Sequence, residues 1–246
     1  MPNKPGADLQ LMPRWAVVPS YFVMCSTMAT ALRIFGRWEV RGRRHVPIRG
    51  PLIVVSNHLH NADPPLLGAS LPRRIHFMAK IELFQKGLRS LPVTLFGSFP
   101  VRRFEADLAA LRTAQELLRD GEAICMLPEG HRNRHGTALQ EPFPGAALIA
   151  LRSGAPVLPV GITGTEQIKG IGILLKRPRI TVTIGEPFLL PRTGKLDGET
   201  VRAASETIMR RIAALLPPEY QGRWADTAPP PGDTRRRPRL SEADER

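Results

Sequence analysis

Short apolar runs alternate with longer segments of helical periodicity along most of the chain. Seven runs have the length and apolar content of β-strands: 38–41, 52–55, 74–79, 99–102, 123–127, 157–160 and 179–184. Three longer segments repeat apolar residues at helical spacing: 105–119, 143–153 and 199–216. This alternation predicts an α/β fold with a mixed, largely parallel sheet flanked by helices.

The N-terminal part differs from the rest because residues 15–32 carry no charge. An uncharged run of that length reaches the lower limit for a spanning helix, but Pro19 and the following Arg33 make it a weak one. Six arginines and a single acid lie between Arg33 and Arg49, a density that suits anionic headgroups on the cytoplasmic side. We expect residues 1–37 to form a membrane-associating segment lying in the interface, peripheral or monotopic, at the cytoplasmic face of the cell membrane. A true span and an ordinary core helix are the alternatives.

The remaining chain divides into a folded part and a tail. A chain of 246 residues fits one α/β domain with short appendages, and the strand and helix patterns place that domain at 38–221. Residues 222–246 combine proline and charge with almost no apolar residues, so we expect a disordered tail.

The charge balance is strongly basic, with 35 Lys and Arg against 22 Asp and Glu, a net of +13. Such an excess favours an anionic partner without choosing its class. Nucleic acid is disfavoured, because aromatic residues make up 6% of the chain and none are interleaved with the basic ones as stacking requires. An anionic membrane surface together with anionic substrates explains the charge better. The chain's cysteines, Cys25 and Cys125, lie in apolar surroundings, so we expect neither a disulfide framework nor a cysteine metal site.

Polar residues of catalytic type follow the apolar run 51–55 in the stretch SNHLHNADP. His58 and Asp63 are five positions apart, so a turn between them lets the carboxylate accept a hydrogen bond from one imidazole nitrogen. The other nitrogen is then free to remove a proton, which predicts a general base. A surface histidine with Asx-turn chemistry is the structural alternative. His60 lies nearby, but no third strong ligand accompanies the pair, so no metal is expected.

Two further strand ends supply complementary groups. The stretch FGSFPVRR ends in Arg102 and Arg103, and MLPEGHR places Glu129 after a strand that carries no other charge. Because the ends of neighbouring parallel strands meet at one sheet edge, a base, cations for a phosphate and a hydrogen-bonding acid are expected together.

At these residues the sequence resembles the glycerolipid acyltransferases, specifically the 1-acyl-glycerol-3-phosphate (lysophosphatidic acid) acyltransferases. The family's first motif, Asn-His-x4-Asp, is matched by Asn57, His58 and Asp63. The second to fourth motifs follow in the same order over roughly residues 38 to 190, and their matching residues are Gly97, Phe99, Val101, Arg103; Pro128, Glu129, Gly130, Arg132; and Val157, Leu158, Pro159, Val160.

This resemblance implies transfer of a fatty acyl group from acyl-CoA or acyl carrier protein to a hydroxyl of a lysophospholipid, most simply 1-acyl-sn-glycerol-3-phosphate, which gives phosphatidic acid. His58 and Asp63 would be catalytic, and no cofactor beyond the thioester co-substrate is implied. The substrate-binding residues implied by the motifs are Asn57, Gly97, Arg102, Arg103, Glu129, Gly130 and Arg132.

The third motif departs from the family pattern. Its threonine is His131 here, its first phenylalanine is Leu127, and a basic residue often found around 143–145 is absent. Because of these differences, another lysophospholipid or a glycolipid is an alternative acceptor. A non-catalytic lipid-binding member of the fold is a further alternative, against which the intact His58 and Asp63 count.

Overall fold

A computed structural model of the chain describes residues 14–85, 90–102, 107–133, 136–168, 177–191 and 196–225. Its centre is a seven-stranded sheet of order β1-β7-β6-β2-β5-β3-β4, in which only β6 and β7 pair antiparallel. The strands are β1 Arg37–Arg41, β2 Leu52–Ser56, β3 His76–Lys80, β4 Phe99–Val101, β5 Ala123–Met126, β6 Val157–Thr163 and β7 Arg179–Ile184. The predicted mixed, largely parallel sheet is confirmed, and each strand predicted from the apolar runs is present with shifts at its ends.

Helices cover both faces of this sheet. They are α1 Arg14–Phe35, α2 Asp63–Ser70, α3 Leu91–Leu95, α4 Leu108–Arg119, α5 Gly145–Ser153, α6 Gly198–Ala213 and α7 Pro218–Gln221. The three segments predicted from helical periodicity correspond to α4, α5 and α6. Helix α4 begins at 108 because the Asp107 carboxylate accepts hydrogen bonds from the backbone N–H groups of Ala109 and Ala110.

Helix α2 escaped the periodicity analysis because it opens with Asp63-Pro64-Pro65. Prolines read as helix breakers in the interior of a helix, but the first helical turn has no intrahelical acceptor for its N–H groups. Both prolines lie in that first turn. This dipeptide therefore marks the start of a helix immediately after the histidine-containing loop.

The core has two halves, one on each face of the sheet. Helices α4, α5 and α6 pack on the face formed by Ile53, Val55 and Ile124, and α1 and α2 pack on the face that includes Val54 and Cys125. Strand β2 is buried throughout because both of its faces are covered, which is why its sequence is a continuous apolar run rather than an alternating one.

Helix α1 packs one side against the domain and exposes the other. Tyr21, Cys25, Ala29 and Leu32 are buried at helical spacing, and the helix contacts α2, α3 and β1. Its exposed side carries large apolar residues: Phe22, Val23, Ile34 and Phe35. Residues 18–35 are long and apolar enough to cross a membrane by length and composition alone.

The folded part extends beyond the expected boundary at residue 221. A short 3₁₀ helix, Gly222–Trp224, follows α7, and the Trp224 side chain is buried in the α6 half of the core. Residues 226–246, where a disordered tail is expected, lie outside the described residues.

Candidate active site

The catalytic-type residues follow β2 at the centre of the sheet. Asn57 continues the strand with its side chain: Nδ2 donates to the carbonyl of Ile162, and Oδ1 accepts from the N–H of Ile162, both at 2.8 Å. These two bonds replace a ladder pair and fix the direction in which the chain leaves the sheet. Because both ends of the Asn57 amide are engaged, the structure supports a positioning role for it rather than the expected contact with substrate.

One carboxylate oxygen organises the turn between β2 and α2. Oδ2 of Asp63 accepts hydrogen bonds from His58 Nδ1 at 2.9 Å and from the backbone N–H groups of Leu59 and His60 at 2.7 Å each. Asp63 is fully buried. A negative charge at the first turn of α2 is further stabilised by the helix dipole. The loop therefore holds a carboxyl oxygen that accepts three hydrogen bonds, one of them from the imidazole.

This contact fixes the tautomer of His58. A carboxylate can only accept hydrogen bonds, so Nδ1 must carry the proton, and Nε2 of the neutral ring holds the lone pair. In the described part of the chain, no protein group is hydrogen-bonded to Nε2. The ring is 7% exposed and lines a cavity. The predicted His58–Asp63 pair is thus assembled with its basic nitrogen available.

Glu129 holds the backbone of His58 from the neighbouring strand. Oε1 accepts from the N–H of His58 at 2.9 Å, and Oε2 accepts from the N–H of Gln140 at 3.1 Å. The carbonyl of His58 in turn accepts from the N–H of Asn133 at 2.9 Å. The segment after β5 therefore clamps the histidine on both sides. For Glu129, this geometry favours positioning of His58 over the expected contact with glycerol.

The Glu129 carboxyl is only 1% exposed. Burial raises its pKa to about 7, and the nearby Asp63 charge also raises it, whereas the two backbone hydrogen bonds oppose the shift. Its protonation state consequently changes close to neutral pH. Because both oxygens accept N–H groups, the ionised form fits the observed contacts.

A cavity of about 1020 Å³ opens beside His58 on the α1 face of the sheet. Much of its wall is apolar and comes from three places: Met24 and Met28 of α1, Phe77 and Met78 of β3, and Val93 and Phe96 near α3. At the His58 end the wall becomes polar, with Asn61, His131, Arg132 and Gln140. The cavity therefore joins a long apolar compartment to the imidazole.

Two cations lie on the wall of this cavity, and no acidic side chain does among the described lining residues. Lys80 ends β3, and its Nζ pairs with Glu82 at 2.9 Å on the partly exposed surface. Arg132 follows the predicted Pro-Glu-Gly turn and is half-buried. An anionic group on a substrate that reaches His58 would meet these charges.

The second predicted motif is only partly at this site. Arg102 is exposed beyond the end of β4 and lines a different cavity, and Arg103 lies outside the described residues. Gly97 precedes β4 at the opposite, amino end of the strand, with φ +62, and its carbonyl is hydrogen-bonded to His76 Nδ1. This φ lies in the left-handed region that favours glycine, so the structure supports a turn role for Gly97.

Gly130 also serves the turn. Its φ is +68, and an added Cβ would lie 2.6 Å from the ring of Phe143. Neither Lys80 nor the α1 wall of the cavity was predicted from the sequence as part of the site. Lys80 could have been found as the charged residue that ends an apolar strand at the same sheet edge as His58. The role of α1 could not, because its apolar pattern equally suits a membrane segment.

Comparison with known proteins identifies the family of the chain. The acyltransferase family model matches residues 37–163, more than half of the chain. The 1-acyl-sn-glycerol-3-phosphate acyltransferase of Bacillus subtilis is 28% identical over 197 residues, covering 79% of this chain and 96% of the relative. The enzyme of the same name from Streptococcus pneumoniae is 28% identical over 198 residues, covering 77% of this chain and 70% of the relative.

The fold has a solved counterpart as well. The crystal structure of the 1-acyl-sn-glycerophosphate (LPA) acyltransferase PlsC from Thermotoga maritima superposes with a TM-score of 0.61, at 24% identity, over 84% of this chain and 85% of that one. An α/β sheet with a buried His-Asp pair at its carboxyl edge, together with the family match, defines the class: the chain belongs to the acyltransferase family. It is an O-acyltransferase like its named relatives.

Proposed function

We propose that the protein transfers a fatty acyl group from an acyl thioester to the free hydroxyl of 1-acyl-sn-glycerol-3-phosphate, giving phosphatidic acid. The observation that carries this proposal is the His58 imidazole, oriented by Asp63 at 2.9 Å, at the polar end of a long apolar cavity. The names of the relatives from B. subtilis and S. pneumoniae support the choice of acceptor.

His58 acts as general base and then as general acid. Nε2 removes the proton from the acceptor hydroxyl, and the oxygen attacks the thioester carbonyl to form a tetrahedral intermediate. The C–S bond then breaks, and the imidazolium returns the proton to the leaving thiolate. Asp63 stabilises the imidazolium formed between these steps without itself taking the proton. The side-chain amides of Asn61 and Gln140 on the cavity wall are neutral donors suited to developing negative charge.

Direct attack by the acceptor oxygen is favoured over an acyl-cysteine intermediate. Cys125 lines the cavity, but burial raises the pKa of its thiol far above the neutral range. Nucleophilic cysteines require a thiolate and therefore a lowered pKa. Desolvation gives Cys125 the opposite property, so we assign it a packing role.

The apolar part of the cavity suits the hydrocarbon chain of the donor. The whole cavity has a volume of about 1020 Å³, which is at the upper end of the ~300–1,000 Å³ range of ligand pockets. With the chain between α1 and β3, the thioester carbonyl lies at the His58 end. Donors carried by CoA and by acyl carrier protein share this acyl chain, and both are anionic.

The acceptor phosphate has a suitable partner in Arg132, with Lys80 on the same wall. A guanidinium can donate two parallel hydrogen bonds to a phosphate, which gives orientation as well as affinity. Arg102 and Arg103 remain proposed contributors from the adjacent strand end. His131 lies beside Arg132 on the cavity wall, and it is the residue that we expect to contact a different acceptor headgroup.

Helix α1 is the proposed contact with the membrane. Its outer side exposes Phe22, Val23, Ile34 and Phe35, although its inner side packs on the domain. A helix packed in this way lies along a surface more readily than across a bilayer. Arginines at 33, 37, 43, 44 and 49 are exposed and would attract anionic headgroups at the cytoplasmic face. Because Val23 is both exposed and on the cavity wall, lipid substrates could enter from the interface.

The test is transfer by purified protein in mixed micelles, with radiolabelled acyl-CoA and lysophospholipids with and without a phosphate monoester. We expect labelled phosphatidic acid from 1-acyl-sn-glycerol-3-phosphate. Transfer confined to another lysophospholipid or a glycolipid would keep the chemistry but overturn the acceptor. Absence of transfer from both CoA and carrier-protein donors, with retained lipid binding, would instead favour a non-catalytic lipid-binding protein.

A further inference from the structure

A second cavity, of about 610 Å³, lies on the opposite face of the sheet from α1. It occupies the crevice between α4 and α5, both of which begin at the carboxyl edge of the sheet where His58 lies. Apolar side chains form most of its wall: Leu108, Leu111, Met126, Leu148 and Ile149. Leu108 is 60% exposed and Phe143 is 39% exposed, so a hydrocarbon chain bound in this cavity would cover apolar surface on both.

This cavity adjoins the one beside His58. Met78 and Leu127 line both cavities, so the ends of β3 and β5 form their common wall. At the edge, His131 of the first cavity stands edge-on to Phe143 of the second, with ring centroids 6.5 Å apart. A molecule held across the turn that clamps His58 can therefore reach into both compartments.

The charged groups of the second cavity are Arg102, Asp107 and Arg152. The Asp107 carboxylate is already occupied, because it accepts from the backbone N–H groups of Arg102, Ala109 and Ala110. The exposed Arg102 guanidinium lies near this carboxylate and helps to lower its pKa, and Arg152 adds a second cation, so the charged side chains that the structure describes at this cavity sum to a net positive charge. An apolar crevice with a cation at its mouth complements an amphiphile that has an anionic head and a hydrocarbon tail.

The reaction chemistry selects among such amphiphiles. A monoacyl acceptor carries its existing chain on the carbon next to the reacting hydroxyl, whereas the donor chain must lie beside His58 in the first cavity. Two hydrocarbon chains then require two apolar compartments that meet at the reacting atoms. The pantetheine arm of the donor, with its amides, is poorly matched to the apolar wall of the second cavity.

We propose that the cavity between α4 and α5 binds the hydrocarbon chain that the acceptor already carries. This inference rests on the proposed function and extends it to the second chain of the substrate pair. The acceptor glycerol would cross the turn at His131 and Arg132, with its hydroxyl towards His58 and its chain past Phe143.

The test compares water-soluble acceptors, namely the hexanoyl, octanoyl and decanoyl forms of 1-acyl-sn-glycerol-3-phosphate, each below its micelle concentration and with one fixed donor. Burial of each added methylene should lower the acceptor KM by roughly fourfold. Leu111→Trp, which fills the second cavity, should abolish most of this chain dependence. Leu148→Phe is a milder second variant, and circular dichroism melting checks that each variant folds.

The matched control is Met28→Trp, which narrows the first cavity. It should alter dependence on donor chain length and leave the acceptor dependence in place. The proposal is overturned if the wild-type KM does not depend on the acceptor chain, if Leu111→Trp keeps the wild-type dependence, or if Leu111→Trp changes the donor dependence instead.

Equilibrium dialysis separates this proposal from the proposed function. Labelled decanoyl acceptor should bind the His58→Ala protein at least tenfold more tightly than the His58→Ala, Leu111→Trp protein. That difference would persist if no acyl transfer were found, and equal binding by the two proteins would overturn the second-chain site whatever the activity.

Discussion

The backbone N–H of His58 donates to Glu129 Oε1 at 2.9 Å, so the loop after β2 that carries His58 is held by a carboxylate that follows β5. The imidazole of the same residue is held separately by Asp63. Backbone and ring of His58 are therefore positioned by two different acids. Substitution of Asp63 and substitution of Glu129 should therefore change the kinetics of the enzyme in different ways.

Asp63→Asn tests the acid beneath the ring. The substitution is nearly isosteric but removes the charge that stabilises the imidazolium, and it allows the wrong histidine tautomer. We expect kcat to fall by roughly 10²- to 10⁴-fold with little change in acceptor KM. Steady-state kinetics on the folded variant measures this split, and near-normal turnover would argue against the pair.

Glu129→Gln tests the acid at the backbone. An amide has one acceptor oxygen, so one of the N–H groups of His58 and Gln140 loses its partner, and kcat should fall. The variant also lacks a titrating group whose pKa is raised to about 7. Wild-type turnover should therefore decline more steeply than that of the variant as pH falls through 7, which parallel pH–kcat profiles would measure.

The same group predicts the pH dependence of stability. A raised pKa means that the folded state holds the Glu129 proton more tightly than the unfolded state. This stabilisation is complete below the unfolded pKa, near 4.5, and is lost as pH rises through about 7. Relative to Glu129→Gln, the wild-type free energy of unfolding should fall by on the order of 1–3 kcal/mol over that interval. Urea denaturation at each pH measures it, and a constant difference contradicts the assignment.

Arg132→Gln tests the proposed phosphate contact. Loss of a charge-assisted hydrogen-bonding partner should raise the KM for the phosphate-bearing acceptor by roughly 10- to 100-fold. Arg112→Gln is the matched control, since Arg112 is exposed on α4 and lines neither cavity. An equal KM in both variants would transfer the phosphate role to other cations, of which Lys80 is the first to examine.

Replacement of Phe22 and Ile34 by serine tests the membrane contact of α1. Both side chains are more than half exposed, so their loss should weaken binding to anionic vesicles with little effect on folding. Serine replacement of Leu189 and Leu196, which are exposed but lie outside α1, is the matched control. Cosedimentation with phosphatidylglycerol vesicles measures the difference, and equal binding of both double variants would contradict the proposed orientation.

Periodicity was sufficient to predict the sheet because β2, β5 and β6 are apolar runs that form buried parallel strands. The pairing of His58 with Asp63 was also predictable, since the two residues are five positions apart on a short loop between a strand end and a helix start. The hydrogen bonds of Asn57 with Ile162 and of Glu129 with the backbone of His58 were not predictable, because the partners are far apart in sequence and adjacent only in the fold. Sequence motifs identify which residues gather at a site, and hydrogen-bond geometry distinguishes contact with substrate from support of the residue that makes it.

We propose that the Nε2 of His58 is the base for acyl transfer to a lysophospholipid. The most direct measurement is release of free CoA thiol by wild-type and His58→Gln proteins, assayed with acyl-CoA in the presence and absence of 1-acyl-sn-glycerol-3-phosphate. We expect acceptor-dependent thiol release by the wild type and a loss of at least about 10³-fold in the variant, with vesicle binding intact. Acceptor-dependent release at a similar rate by the variant would contradict it.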